Sequence, residues 1–120
     1  MMKTGISGPV RELLPLSPAV FYILFALAEG EKHGYAIMKE AETVSGGQFT
    51  MGPGTLYTTI QRLLELGLIE ETSTSSDSER RRRCYRLSRS GRQVLEAELN
   101  RMELLVRSAH RRRLVPRDAR

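Results

Sequence analysis

The sequence predicts a mainly α fold with a small β-hairpin, and three features lead there. Segments with apolar residues at helical spacing fill the first half. Two short alternating segments follow, separated by polar residues and the arginine run Arg80 to Arg83, and a last segment carries a heptad-like apolar repeat. With 120 residues the chain has room for one small domain and one extra element, not for two separate cores.

Residues 1–15 mix glycine, proline and charge without a period and are expected to form a mobile arm. Ser17 can cap a helix, Pro18 suits its first position and Gly30 its exit, so the first helix is expected from about Pro18 to Glu29. It is apolar nearly all the way round, more than one side of a small domain can cover, which implies a second contact surface such as a partner subunit. In HGYAIMKEAETVSGG, Ile37, Ala41 and Val44 form the stripe of a second helix that Gly46 and Gly47 stop. Pro53 restarts a third helix that runs to about Leu66. Its stripe of Leu56, Ile60 and Leu63 leaves Thr55, Thr58, Thr59 and Arg62 facing outward.

After Gly67, LIEETSTSS and RRCYRLS read as two strands, with Leu68 and Ile69 opening the first and Tyr85 and Leu87 on one face of the second. A long helix is expected over residues 89–113, where Leu95, Leu99, Met102, Val106 and Ala109 recur at spacings of four, three, four and three. That stripe, with Val20 and Leu24 of the first helix, is the expected homodimer interface. Residues 114–120 form a basic tail.

The formal charge of +5 favours an acidic partner, with nucleic acid first and an anionic membrane surface second. Cys84, the single cysteine, cannot form an internal disulfide and lacks the neighbours a zinc site needs, so neither a metal nor a cofactor is expected. The opening MMKTGISGPV has no long apolar core, and the longest apolar run, AVFYILFALA, is too short to cross a bilayer; a cytoplasmic protein with no membrane partner is expected.

Three helices followed by a hairpin is the order of a winged helix-turn-helix domain, here residues 16–88, with residues 89–113 as a C-terminal dimerisation helix. In that arrangement the third helix enters the major groove and the wing lies against the adjacent backbone or minor groove. Thr55 and Thr58 are short enough to let the helix approach, with Thr59 on the same side. Gln61 can read adenine, Arg62 can read guanine, and the Tyr57 hydroxyl can reach a phosphate. Arg80, Arg81, Arg82 and Arg83 sit on the wing, where guanidinium groups meet phosphates without burial. The expected partner is a pseudo-palindromic operator in double-stranded DNA.

At HGYAI, at GPGTLYTTIQRLLELGLI and again at RRRRCYRLSRSG, the chain resembles the PadR family of bacterial transcription regulators, over about Leu16 to Glu98. The resemblance implies a homodimeric repressor whose last helix joins helix 1 in the interface. It implies that Tyr57 contacts operator DNA with support from the basic wing, and that a small molecule or another signal releases the operator. Several family members bind flat aromatic or lipophilic compounds between subunits. Phe21, Tyr22 and Phe25 are the candidate lining of such a pocket, although core or dimer packing is the simpler account of them and the two can coexist. Thr58 stands where the family often has proline, and Glu79 where the wing often has glycine.

His33 reads as a loop or helix-start residue, His110 as a surface residue and Cys84 as a packed small side chain. No paired carboxylates, nucleophile elbow, phosphate loop or metal spacing supports an enzyme. The rival from another class is a winged-helix module that binds protein or RNA without recognising an operator.

Overall fold

A computed structural model describes residues 14–72 and 83–116. The expectations for the arm over residues 1–13, for Arg80, Arg81 and Arg82, and for residues 117–120 fall outside the described residues. Among those described, α1 spans Pro18–Leu27, β1 Lys32–His33, α2 Gly34–Val44, α3 Pro53–Glu65, β2 Ile69–Thr72, β3 Cys84–Leu87 and α4 Arg89–Arg111. The fold is mainly α with a small antiparallel sheet, as the periodicities predict.

Local chemistry sets the boundaries. Ser17 Oγ accepts the Val20 N–H at 3.3 Å, with Pro18 at the first turn of α1. α1 ends at Leu27, two residues before the expected Glu29, because the Ala28 and Gly30 N–H groups bond back to Phe25 and Leu27 in a tightened final turn. Both α2 and α3 close on a glycine with positive φ: Gly46 at 66° and Gly67 at 76°. In each, the following N–H reaches back over the turn, Gly47 to Glu42 O at 2.8 Å and Leu68 to Leu63 O at 3.0 Å, which satisfies carbonyls the helix would otherwise leave open. α4 closes in the same way with Arg113 at φ 62° and the Leu114 N–H on Ala109 O at 2.9 Å. It therefore ends at Arg111, short of the expected residue 113.

The sheet holds a strand that the sequence does not signal. β1 pairs antiparallel with β3, Lys32 opposite Tyr85 and His33 opposite Cys84, giving the order β1-β3-β2. β2 pairs with β3 from Ile69 opposite Leu87 to Thr72 opposite Cys84. β2 opens at Ile69 rather than Leu68, because the Leu68 N–H closes α3 and its carbonyl accepts the Ser88 N–H at 3.0 Å.

The core collects Ile23, Leu24 and Leu27 from α1, Ile37 from α2, Leu56, Ile60 and Leu63 from α3, then Leu68, Ile69, Tyr85, Val94 and Leu95. The stripe expected on α3 is the buried one. On α2, Val44 is 41% exposed, so of the expected stripe Ile37 and Ala41 are buried and Val44 is not. Leu24 and Leu95 of the expected dimer stripe, at 0% and 3% exposure, pack within the domain's own core. Val20, at 9%, also packs inward.

Glu98 is a buried carboxylate, 1% exposed, on the inner face of α4. It accepts the Leu16 N–H at 3.0 Å and is gripped by Arg101, whose Nε lies 2.7 Å and Nη2 3.1 Å from its two oxygens. The guanidinium, with help from the Leu16 N–H, holds the Glu98 carboxyl below the usual carboxylate range against the opposing effect of burial. The contact ties the segment before α1 to α4. Because the folded value is depressed, the stabilisation is present above the unfolded value of about 4.3 and is lost as pH falls through the folded one. Glu98→Gln is expected to lower the unfolding midpoint by about 5 °C at neutral pH. The gap to the wild type should shrink in scans below pH ~4; a constant gap would show that ionisation of Glu98 contributes nothing.

Candidate nucleic-acid interface

The buried stripe of α3 decides which of its side chains reach solvent. With Leu56, Ile60 and Leu63 turned inward, Thr55, Tyr57, Thr58, Gln61 and Arg62 are exposed and Thr59 is half-buried. Tyr57, Thr58, Thr59, Gln61, Arg62 and Glu65 line a shallow open concavity along the helix. The expected α3 residues thus share one surface, with Thr55 at its N-terminal edge. Glu65 was not anticipated there. Its position four residues after Gln61 is the signal that could have found it, since residues so spaced share a face. Gln61 Nε2 lies 3.4 Å from Glu65 Oε2, so the carboxylate orients one amide donor and leaves the Gln61 carbonyl oxygen open to an incoming group.

Arg83 is the described member of the arginine run. It projects from just before β3, with Nε 3.7 Å from Glu71 on β2, and its side chain is 65% exposed. Arg86, outside the expected set, pairs across the sheet with Glu70 at 2.9 Å. Exposed pairs of this kind contribute about 0–1 kcal/mol, so either arginine can exchange its carboxylate for a phosphate at small cost. Between them Tyr85 is buried. Burial, and then the nearby Glu71 charge, push its phenol pKa up, which keeps it neutral and structural.

The aromatic side chains of α1 form a separate cluster. Phe21 stacks on Phe25 with centroids 5.5 Å apart and meets Tyr22 edge to face at 5.2 Å, while Tyr22 stacks on Phe49 at 5.0 Å. All three expected pocket residues are half-buried and spend ring surface on one another. On α4, Leu99 and Val106 are 37% and 47% exposed, with Met102 and Ala109 half-buried beside them. Leu104 and Leu105, absent from the expected stripe, are more exposed than either. The run MELLV places apolar groups on adjoining faces, which a strict heptad reading discards.

His33 caps α2, its Nδ1 accepting the Ala36 N–H at 3.3 Å. Among the described residues no group of His, Cys, Asp and Glu could hold a metal ion, and no helix is long and apolar enough to cross a membrane.

Comparison with known proteins places this geometry. The sequence model of the transcriptional regulator PadR-like family matches residues 23–97. Transcriptional regulator Rv3488 of Mycobacterium tuberculosis is 35% identical over 86 residues, covering 72% of this chain and 77% of that protein. An uncharacterized 37.1 kDa protein in transposon TN4556 of Streptomyces fradiae is 38% identical over 87 residues, 72% of this chain. The matched region makes up only 24% of that protein, and 38% of transcriptional regulator YqjI of Escherichia coli, so the chain spans well under half the length of these two relatives. Among solved structures, Bacillus subtilis PadR in complex with operator DNA superimposes with a TM-score of 0.62 at 26% identity, over 71% of this chain and 47% of that one.

Proposed function

The chain belongs to the PadR-like family of transcriptional regulators, and we propose that it acts in the cytoplasm as a homodimeric repressor bound to a pseudo-palindromic operator. A small aromatic or lipophilic effector then releases it. The observation that carries the DNA-binding part is the outward face of α3, where Tyr57, Thr58, Gln61 and Arg62 stand together on a helix fixed from behind by Leu56, Ile60 and Leu63. Short side chains let the helix into a major groove, and the amide and guanidinium supply base-reading donors and acceptors. Arg83 just before β3 and Arg86 on it have weakly held carboxylates, suited to sequence-tolerant phosphate contact. The operator-bound Bacillus subtilis relative supports this reading.

The dimer part rests on the exposed Leu99, Leu104, Leu105 and Val106 in the second half of α4, beyond the last residue that α4 buries in its own domain. Two copies joined there would present two α3 faces to successive major grooves. Phe21, Tyr22 and Phe25 remain the proposed effector contacts, where a bound ring would compete with their mutual stacking and shift the dimer toward a weakly binding state.

Selection of genomic fragments by the purified chain tests the whole reading. A few fragments sharing an inverted repeat are expected; equal affinity for random duplexes and for RNA would instead favour a protein- or RNA-binding module. Light scattering at micromolar concentration should give twice the chain mass, and a monomer would sink the dimer proposal. Arg62→Ala should relax preference at one base pair by about 1–3 kcal/mol, whereas a uniform loss would reassign Arg62 to phosphate. Replacing both Arg80 and Arg81 by Ala should weaken binding to every sequence and flatten the salt dependence by up to about two, with an unchanged slope removing them from the interface.

A further inference from the structure

Resting on the DNA-binding reading, we infer that Gly34 is a positioning residue for recognition: the missing side chain at the first residue of α2 is the seat that fixes the Tyr57 hydroxyl. Gly34 is buried, yet its φ lies outside the left-handed region, so its backbone does not require glycine. Gly46 and Gly67 are the opposite case, with positive φ and open space where a side chain would stand. What excludes a side chain at 34 is α3. A Cβ there would run into the Tyr57 hydroxyl and stand 2.9 Å from Tyr57 Cζ and 3.2 Å from Leu56 Cδ2. Leu56 is fully buried and cannot yield, which leaves the tyrosine ring as the group that must move.

The seat is rigid. His33 immediately before it caps α2 through the Ala36 N–H and pairs with Cys84 across β1 and β3, so the first turn of α2 is held by the sheet as well as by its own helix. Tyr57 itself is 47% exposed. One side of the phenol therefore rests on α2 and the rest faces the surface proposed to meet DNA. Hydrogen bonds from a hydroxyl to phosphate tolerate only a few tenths of an ångström, so a donor held by contact loses less freedom on binding than one that swings. This assigns a task to the His33-Gly34 pair that opens α2, beyond helix capping.

The test is a double-mutant cycle of Gly34→Ala and Tyr57→Phe, titrated by fluorescence anisotropy against a duplex enriched from random-sequence DNA by the wild-type chain. Each single variant should bind about tenfold more weakly, the scale of one hydrogen bond to a charged group. The double variant should bind no more weakly than Tyr57→Phe alone, because removing the hydroxyl removes the closest clash and the contact together. Losses that multiply, a Gly34→Ala variant that binds as the wild type does, or a Tyr57→Phe variant without loss would each overturn the seat. Carbon-13 spectra of chains labelled at tyrosine Cζ provide a readout free of DNA. Gly34→Ala should shift the Tyr57 resonance and leave Tyr22 in place, and an unmoved Tyr57 signal overturns the inference even if the variant binds poorly through misfolding. A wild-type chain that enriches no duplex overturns the regulator reading instead, and the spectra keep the two failures apart.

Discussion

The corner where α3 ends and α4 begins is the constraint on which the rest of the molecule depends. Gly67 takes a positive φ that lets the chain leave α3 and lets the Leu68 N–H return to Leu63. Ser88 then uses every polar group it has there: its N–H donates to Leu68 O, its hydroxyl donates to Gly67 O at 2.6 Å, and the same oxygen accepts the Gly91 N–H at 3.0 Å. Gly91 completes the fit, since a Cβ at that position would collide with the Leu68 carbonyl oxygen and sit 3.1 Å from Leu87 Cδ1. One small polar and two small flexible residues thereby join the outward-facing helix, the sheet and the long last helix at fixed angles.

Charge is distributed to match. Buried Glu98 is fully engaged by Arg101 and Leu16, which turns the costliest kind of group into a structural tie. The pairs Arg83 with Glu71 and Arg86 with Glu70 are exposed and weak. Strong pairing lies where the fold needs permanence and weak pairing where an outside anion would have to compete.

What the sequence made legible was local. Ser17 before Pro18, Gly67 after Leu66, and Leu56, Ile60 and Leu63 at helical spacing each carry their structural instruction within a single turn, and with them came the outward face of α3. Features decided by distant partners were hidden. β1 is two residues long with no apolar alternation, and exists because β3 offers it hydrogen bonds from far along the chain. Periodicity records that Leu24 and Leu95 are buried but not by what, and their packing in the domain core depends on partners from other elements. Nothing local marks Glu98 as buried, because its partner, the Leu16 N–H, comes from the segment before α1. The seat at Gly34 has the same character, because its cause is a ring on another helix.

The short β1 has a mechanical consequence. It splices the start of α2 onto β3, which follows directly on Arg83 and carries Arg86, so the helices and the described strands of the hairpin form one bracket. A bracket measures curvature. On the proposed DNA-binding reading, two contact zones joined in this way would both close only on a duplex whose groove width and bend match their separation, which would favour DNA easily deformed into that shape even at base pairs no side chain touches.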